Sequence, residues 1–392
     1  MGHYRFWILI GVVLISGFSQ GMLLPVIAII FENGGISSSL NGLHATALYI
    51  GILIASPFME KPLRKYGYKP VIIIGGAIVI VSLFLFPLWK SFLFWFVLRL
   101  LIGIGDHALH FGTETWITSF SPIEKRGRNI SIYGLSFGLG FALGPLMAPL
   151  VEMNESLPFI LSTGLCFTAW LFLFFIQNEF PEDEIGIQSV TSTFQRFRQA
   201  FKYAWVAFLP PFGYGFLEAS LNGSFPVYAL RIGFDVSTVS ILLTSFAIGG
   251  IVFQLPLGMM SDKFGRKRVL QIILFFGGVC FLFAGVFEHA IPIVIMLLFI
   301  AGMFVGSTFS LGISFMTDLT PKNLLPTGNL LCGIAFSFGS LIGPYTSGII
   351  IQYFEQIRFF SIVSFMLFII FIVVMFTKQK ESMGKRISIF RS

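Results

Sequence analysis

Of the 392 residues, 56% are apolar and only 11% are charged, against roughly 25% charged in an ordinary water-soluble domain. A soluble fold of this length has no interior able to hide that much apolar surface, so a water-soluble enzyme or binding module is excluded and a bilayer becomes the solvent. The formal charge of +7 is spread over loops and does not form a nucleic-acid-binding face; no nucleic-acid partner is expected.

In chain order, apolar runs predict membrane helices over residues 6–31, 39–59, 70–89, 91–119, 130–151 and 158–177, and then over 203–230, 237–260, 268–287, 290–317, 326–351 and 358–377. Each is long enough to cross a hydrocarbon core of ~30 Å as a helix. A transmembrane barrel would alternate apolar and polar residues, whereas Val71 to Trp89 is nearly continuously apolar, so the expected class is all-α integral membrane. The first run exceeds a signal-peptide core and has no clear small-residue cleavage site, so it reads as the first membrane helix. Cys166, Cys280 and Cys332 fall in separate predicted helices without ligand spacing, which implies neither a metal site nor a disulfide framework.

Loops on one side hold most of the basic residues, among them Lys61, Arg64, Lys65, Lys125, Arg126, Arg128, Lys263, Arg266 and Lys267; the other side has Lys90, Arg231 and Arg358. This asymmetry predicts a multi-pass protein of the cell membrane with both termini in the cytoplasm, in contact with anionic membrane lipids. The polar stretch from Asn178 to Phe201, with the acidic run Glu182, Asp183 and Glu184, reads as a cytoplasmic linker between two halves.

Internal repetition supports that division. Gly140, Gly144 and Pro145 recur 199 residues later as Gly339, Gly343 and Pro344, and Gly17-Phe18-Ser19-Gln20 aligns at an offset of 198 with Gly215-Phe216-Leu217-Glu218. The expected organisation is a six-helix bundle over 1–177, a linker over 178–201, a second six-helix bundle over 202–378 and a basic tail over 379–392. Parallel repeats with a site at their interface are a standard plan of secondary transporters.

The loop from Pro256 to Lys267, with Gly258, Asp262, Gly265, Arg266 and Lys267 in register, resembles the Gly-x-x-x-Asp-Arg-x-Gly-Arg-Lys signature of the major facilitator superfamily, with Lys263 in place of the first arginine. Gly258 is expected to permit close helix approach, Gly265 a tight turn, and Asp262 an interaction with a neighbouring helix N-terminus. The first-half loop departs from this pattern, with Glu60 and Arg64 where glycine and aspartate are usual. Arg99 and Gly103 resemble the family's Arg-x-x-x-Gly pattern, and Gly140, Gly144 and Pro145 resemble the Gly-Pro motif of its antiporters. The resemblance covers the whole chain and implies two pseudo-symmetric six-helix bundles, alternating access, a small-molecule substrate and a monomer, with no enzymatic activity and no cofactor.

The fourth predicted helix carries the densest chemistry. Arg99, Gly103, Asp106, His107, His110 and Glu114 fall within one sector of roughly 100° on a helix. An embedded charge costs on the order of 2.5 to 3.5 kcal/mol, so this stripe is expected to face the bundle interior or a watered cavity. Asp106 is the leading candidate for reversible protonation, because its balance depends on surrounding water and charge, both of which change between inward-open and outward-open states. His107 and His110 titrate near neutrality in water and extend a proton path, while Arg99 and Glu114 complete the proton-coupling set. In the seventh helix Tyr214, Glu218 and Asn222 share a face. Glu218 is the repeat partner of Gln20, and the resemblance implies that these two face each other across the pathway. Gln20, Asp106, Tyr214, Glu218 and Asn222 are the expected cavity residues. His44 stands apart in the second helix and reads as structural.

These features predict a proton-coupled exporter of small lipophilic or amphipathic compounds. A proton-linked or passive importer of a polar nutrient, and a lipid flippase, are the alternatives.

Overall fold

A computed structural model describes residues 3–181, 190–321, 324–354 and 356–377; the acidic run Glu182 to Glu184 and the tail 379–392 lie outside them. Among the described residues all regular structure is helical. The first half contains α1 (His3–Asn33), α2 (Ser38–Ala55), α3 (Glu60–Tyr66), α4 (Tyr68–Leu85), α5 (Phe92–Phe120), α6 (Ile123–Leu143), α7 (Leu150–Met153) and α8 (Leu157–Leu171). After α9 (Val190–Ala204), the second half contains α10 (Leu209–Gly223), α11 (Phe225–Arg231), α12 (Val236–Phe264), α13 (Arg266–Val286), α14 (Ile291–Val305), α15 (Thr308–Leu319), α16 (Leu325–Tyr353) and α17 (Phe359–Phe376).

Among the described residues eleven spans are long and apolar enough to cross a membrane, the one over 291–319 being counted across a break. The seventh predicted segment is split into α10 and α11 at Ser224, because Pro226 has no N–H to carry the ladder across. Ser224 Oγ instead donates to the Pro344 carbonyl at 3.0 Å. The tenth segment breaks at Gly306–Ser307 into α14 and α15. Pro145 and Pro149 end α6 early, in a tight turn over Gly144–Met147, whereas its repeat mate Pro344 sits inside the continuous α16. The linker contributes α9, which its polarity had hidden: Ala200 and Ala204 are buried while Arg198, Gln199 and Lys202 are exposed, the pattern of an amphipathic surface helix.

The repeated glycines are where helices touch. A Cβ on Gly17, Gly21 or Gly140 would strike the carbonyl of Phe137, Phe141 or Leu14, and one on Gly144 would strike the backbone at Gly21 and Met22, so α1 and α6 pack backbone to backbone. In the second half Gly215, Gly339 and Gly343 do the same for α10 and α16, against Phe336, Phe212 and Phe216. The two halves therefore share one packing device at equivalent places. Gly103 of α5 meets the Leu48 carbonyl of α2 in the same way.

The two ends of the molecule differ, and the one bearing α9 is the linker end. At the far end the halves are joined: Arg231 Nε donates to Glu32 Oε1 at 2.7 Å and its Nη2 to Oε2 at 3.2 Å, and Ser39 N donates to Gln352 Oε1 at 3.2 Å. Gly42 lies against the Pro344 carbonyl, and Gly348 against that of Ser38. Asp235 caps α12 there by accepting from Thr238 N at 3.2 Å, a bond that holds its carboxyl below the usual carboxylate range.

At the linker end Gly265 adopts φ +92°, the turn expected of it. Gly258 has nothing within contact distance of a Cβ, so the close approach expected there is not made in this conformation. Asp262 also departs from expectation, its nearest charged partner being Arg266 at 3.7 Å on its own chain segment. Arg266 instead crosses to α15, reaching Asp318 at 2.8 Å and Thr317 and the Ser314 carbonyl at 2.7 Å. In the first half Glu60 and Arg64 form a local exposed pair on α3 at 2.8 Å.

Candidate functional site

A cavity of about 420 Å³ lies between the halves. Its polar lining includes Gln20 from α1, Tyr49 from α2, Tyr214, Glu218 and Asn222 from α10, Gln254 from α12 and Ser310 from α15. Five phenylalanines, Phe137, Phe141, Phe246, Phe309 and Phe336, supply much of the apolar wall. Gln20 and Glu218 thus line one space, and Glu218 is the one formally charged residue among the described lining residues. Asn222 Nδ2 donates to the main-chain carbonyl of Glu218 at 2.9 Å, the turn-to-turn bond of a helical asparagine, and leaves the carboxylate facing the cavity. The cavity borders both helix irregularities of the second half, at Gly306 and near Ser224.

Asp106 does not line this cavity in the conformation seen, contrary to expectation. It is 1% exposed in the layer behind Gln20, because α1 packs over α5. Ser16 Oγ donates to Asp106 Oδ1 at 2.8 Å, and Oδ2 has no partner. Ser16 has a single hydrogen and gives it to Asp106, so its 3.0 Å contact with His110 Nε2 requires that nitrogen to be the donor. His110 Nδ1 is then the acceptor for Tyr133 Oη of α6 at 2.9 Å. Gln20 Nε2 stands 3.4 Å from His110 Nε2, and the donor assignment places the amide oxygen of Gln20 on that side. Beside Asp106 is a small cavity of about 20 Å³, lined also by Ser16, Cys166 and Trp170.

The polar stripe divides into separate environments. His107 turns to α2, its Nε2 lying 3.1 Å from Ser56 Oγ, whose hydrogen is engaged by the Ile52 carbonyl. Glu114 is exposed. Arg99 is wholly buried, and its Nη1 donates to His44 Nδ1 at 2.9 Å. His44 Nε2 in turn donates to the Phe92 carbonyl at 3.2 Å, which fixes a neutral ring with Nδ1 free to accept. Arg99 Nε and Nη2 have no partner. The reading of His44 as a residue apart is therefore corrected: it is the acceptor for the buried guanidinium, held among Phe31, Phe92 and Phe96 at ring separations of 4.7, 4.9 and 5.7 Å. Arg99 and Asp106 have separate partners.

Sequence reasoning also missed Ser16 and Tyr49, and it weighed Tyr133 only as a polar group of a nutrient cavity, not as a partner of His110. Ser16 and Gln20 are spaced i, i+4 on α1, a weak signal that the many other serines of the chain obscured. Tyr49 lies within electrostatic reach of both Arg99 and Glu218. No group of three or more His, Cys, Asp or Glu residues forms a metal site among the described residues.

The chain matches the Major Facilitator Superfamily over residues 9–238 and 211–389. It is 58% identical over 382 residues, 97% of each chain, to YfkF of Bacillus subtilis (strain 168), described as an uncharacterized MFS-type transporter. Among solved structures it is similar in fold to a D-xylose-proton symporter, with TM-score 0.76, 13% identity and 97% and 98% of the two chains covered. It is likewise similar to the nucleoside transporter NupG, with TM-score 0.75, 15% identity and 96% and 100% covered. With a whole-chain sequence match, a close relative and a shared fold in agreement, the chain belongs to the Major Facilitator Superfamily and is a multi-pass membrane transporter.

Proposed function

We propose that the protein is a proton-coupled exporter of small lipophilic or amphipathic compounds, cations in particular, working by alternating access from the plasma membrane. The observation that carries this reading is a single carboxylate, Glu218, set in a cavity of about 420 Å³ whose wall, among the described residues, is otherwise uncharged and rich in phenylalanine. Aromatic faces attract organic cations, and a desolvated carboxylate supplies the counter-charge. Protonation of Glu218 or Asp106 then competes with the substrate. The basic residues of the linker end, from Lys61 and Arg64 to Lys267 and Arg268, favour that end as the cytoplasmic one. With the far end closed, the cavity in this conformation is the cytoplasmic loading site.

The test is transport of tetraphenylphosphonium by purified protein in liposomes under an imposed pH gradient. Asp106→Asn and Glu218→Gln together are expected to cut gradient-driven movement by about tenfold or more and to flatten its pH dependence. Unchanged pH dependence in the double variant would refute proton coupling through these groups. A second reading, import of a polar nutrient, rests on the amides of Gln20, Asn222 and Gln254 in the same wall. Saturable uptake of a neutral sugar with no tetraphenylphosphonium movement would favour it.

A further inference from the structure

The cluster around Asp106 has a direction. Tyr133 Oη donates to His110 Nδ1, His110 Nε2 donates to Ser16 Oγ, and Ser16 Oγ donates to Asp106 Oδ1, at 2.9, 3.0 and 2.8 Å. Each bond fixes the polarity of the next, since a hydroxyl has one hydrogen and a neutral imidazole one donor and one acceptor. Three helices, α6, α5 and α1, contribute one link each. The chain of bonds starts at Tyr133, partly exposed and one residue before Gly134, which lines the cavity, and ends on a carboxylate that is 1% exposed and has an unpartnered Oδ2.

We propose that Tyr133, His110 and Ser16 are the relay through which Asp106 exchanges its proton with the cavity, an assignment that rests on Asp106 as a proton site. A proton arriving at Tyr133 Oη from cavity water or from exposed Glu114 displaces the phenolic proton to His110 Nδ1. The Nε2 proton passes to Ser16 Oγ, and the Ser16 proton to Asp106. One proton enters, one carboxylate becomes a carboxylic acid, and every intermediate group ends neutral with its hydrogen bonds reversed. Discharge runs the same steps backwards. The other titratable groups around Asp106 are Cys166 from α8, with His107 and Glu114 further along α5; α4 presents Gly76, Val79 and Ile80 to the same void, and α1 presents Ser16 and Gln20. No ion pair reaches Asp106 among the described residues; its polar neighbours are the hydrogen-bonded row and Gln20, which lines the cavity.

A purely architectural network would stabilise helix packing without governing how fast Asp106 titrates, and that difference is measurable without a substrate. Time-resolved infrared difference spectroscopy after a pH jump, on the full-length protein in detergent, reads the carboxylic acid band of a buried aspartic acid; Asp106→Asn identifies which band is its own. Tyr133→Phe and Ser16→Ala are each expected to keep that band's amplitude and to slow its appearance by about tenfold or more, within the range of a lost proton-transfer partner. Ser16→Thr, which restores a hydroxyl, is expected to recover the wild-type rate. Unchanged rates in both Tyr133→Phe and Ser16→Ala would overturn the relay while leaving Asp106 as a proton site. If Asp106→Asn removed no band, the reading of Asp106 itself would fall, and the relay with it.

Discussion

At the scale of single residues, the chain places ionisable groups in its interior at different levels of satisfaction. Arg99 shares its charge with a neutral imidazole, and Asp106 with one serine hydroxyl, in each case with polar atoms to spare. A buried charge that loses its partner costs about 3 to 5 kcal/mol. His44→Leu is therefore expected to destabilise the protein by an amount of that order, read as a lower thermal unfolding midpoint in detergent. His44→Asn, which keeps an acceptor near the place of Nδ1, should recover part of it. Equal losses in the two variants would mean that ring packing among Phe31, Phe92 and Phe96, and not the hydrogen bond, is what His44 provides. The stripe on the fourth predicted helix was legible because charged residues at helical spacing stand out in an apolar run. The partners were not, since serine, tyrosine and a lone histidine on other helices carry no such signal until the helices are packed.

Among elements, glycine decides which helices meet. Gly140 of α6 has no room for a Cβ beside the Leu14 carbonyl, whereas Gly164 of α8 has open space on that side. Gly140→Ala is expected to cost about 1 to 3 kcal/mol through overpacking, seen as loss of monodisperse protein on gel filtration and a lower unfolding midpoint. Gly164→Ala should be neutral or stabilising by about 0.5 to 1 kcal/mol, since it removes backbone freedom from the unfolded chain without a clash. The repeat offset in the sequence had already paired Gly140 with Gly339 and Gly144 with Gly343. The packing shows why both copies hold glycine: α1 with α6, and α10 with α16, are the same close crossing made twice. The prolines of the same motif behave differently. Pro145 ends a helix and Pro344 does not, because a second proline, Pro149, follows only in the first half.

For the whole molecule, the question is which contacts hold the far end shut. The pair Arg231 and Glu32 is partly exposed, with 38% and 16% of the side chains accessible, and such pairs contribute at most about 1 kcal/mol. The α2–α16 crossing at Gly42 and Gly348 holds more strongly, because the two backbones are in direct contact and a Cβ at either position has no space. Gly42→Ala is thus expected to shift the population towards a far-end-open state more than Glu32→Gln does. A cysteine pair at Ser39 and Gln352, already in hydrogen-bond contact, reads this directly. Oxidative cross-linking should be efficient in the parent protein, arrest transport until reduced, and fall on adding Gly42→Ala. A larger fall with Glu32→Gln would assign the closure to the ion pair instead.

The sequence by itself determined the membrane class, the twelve segments, the two-fold repeat and the residues worth suspecting, because hydropathy, charge asymmetry and repetition are properties of the chain read in order. It also paired Glu218 with Gln20 through the repeat offset. Only the tertiary structure decided that Glu218 lines the cavity while Asp106 lies behind it, that His107 and His110 part company, that Arg99 rests on His44, and that the far end is the closed one. Those outcomes depend on the rotation and depth of each helix against its neighbours. Backbone contacts at glycines and single hydrogen bonds between distant segments set that rotation, and neither leaves a periodic trace in the sequence.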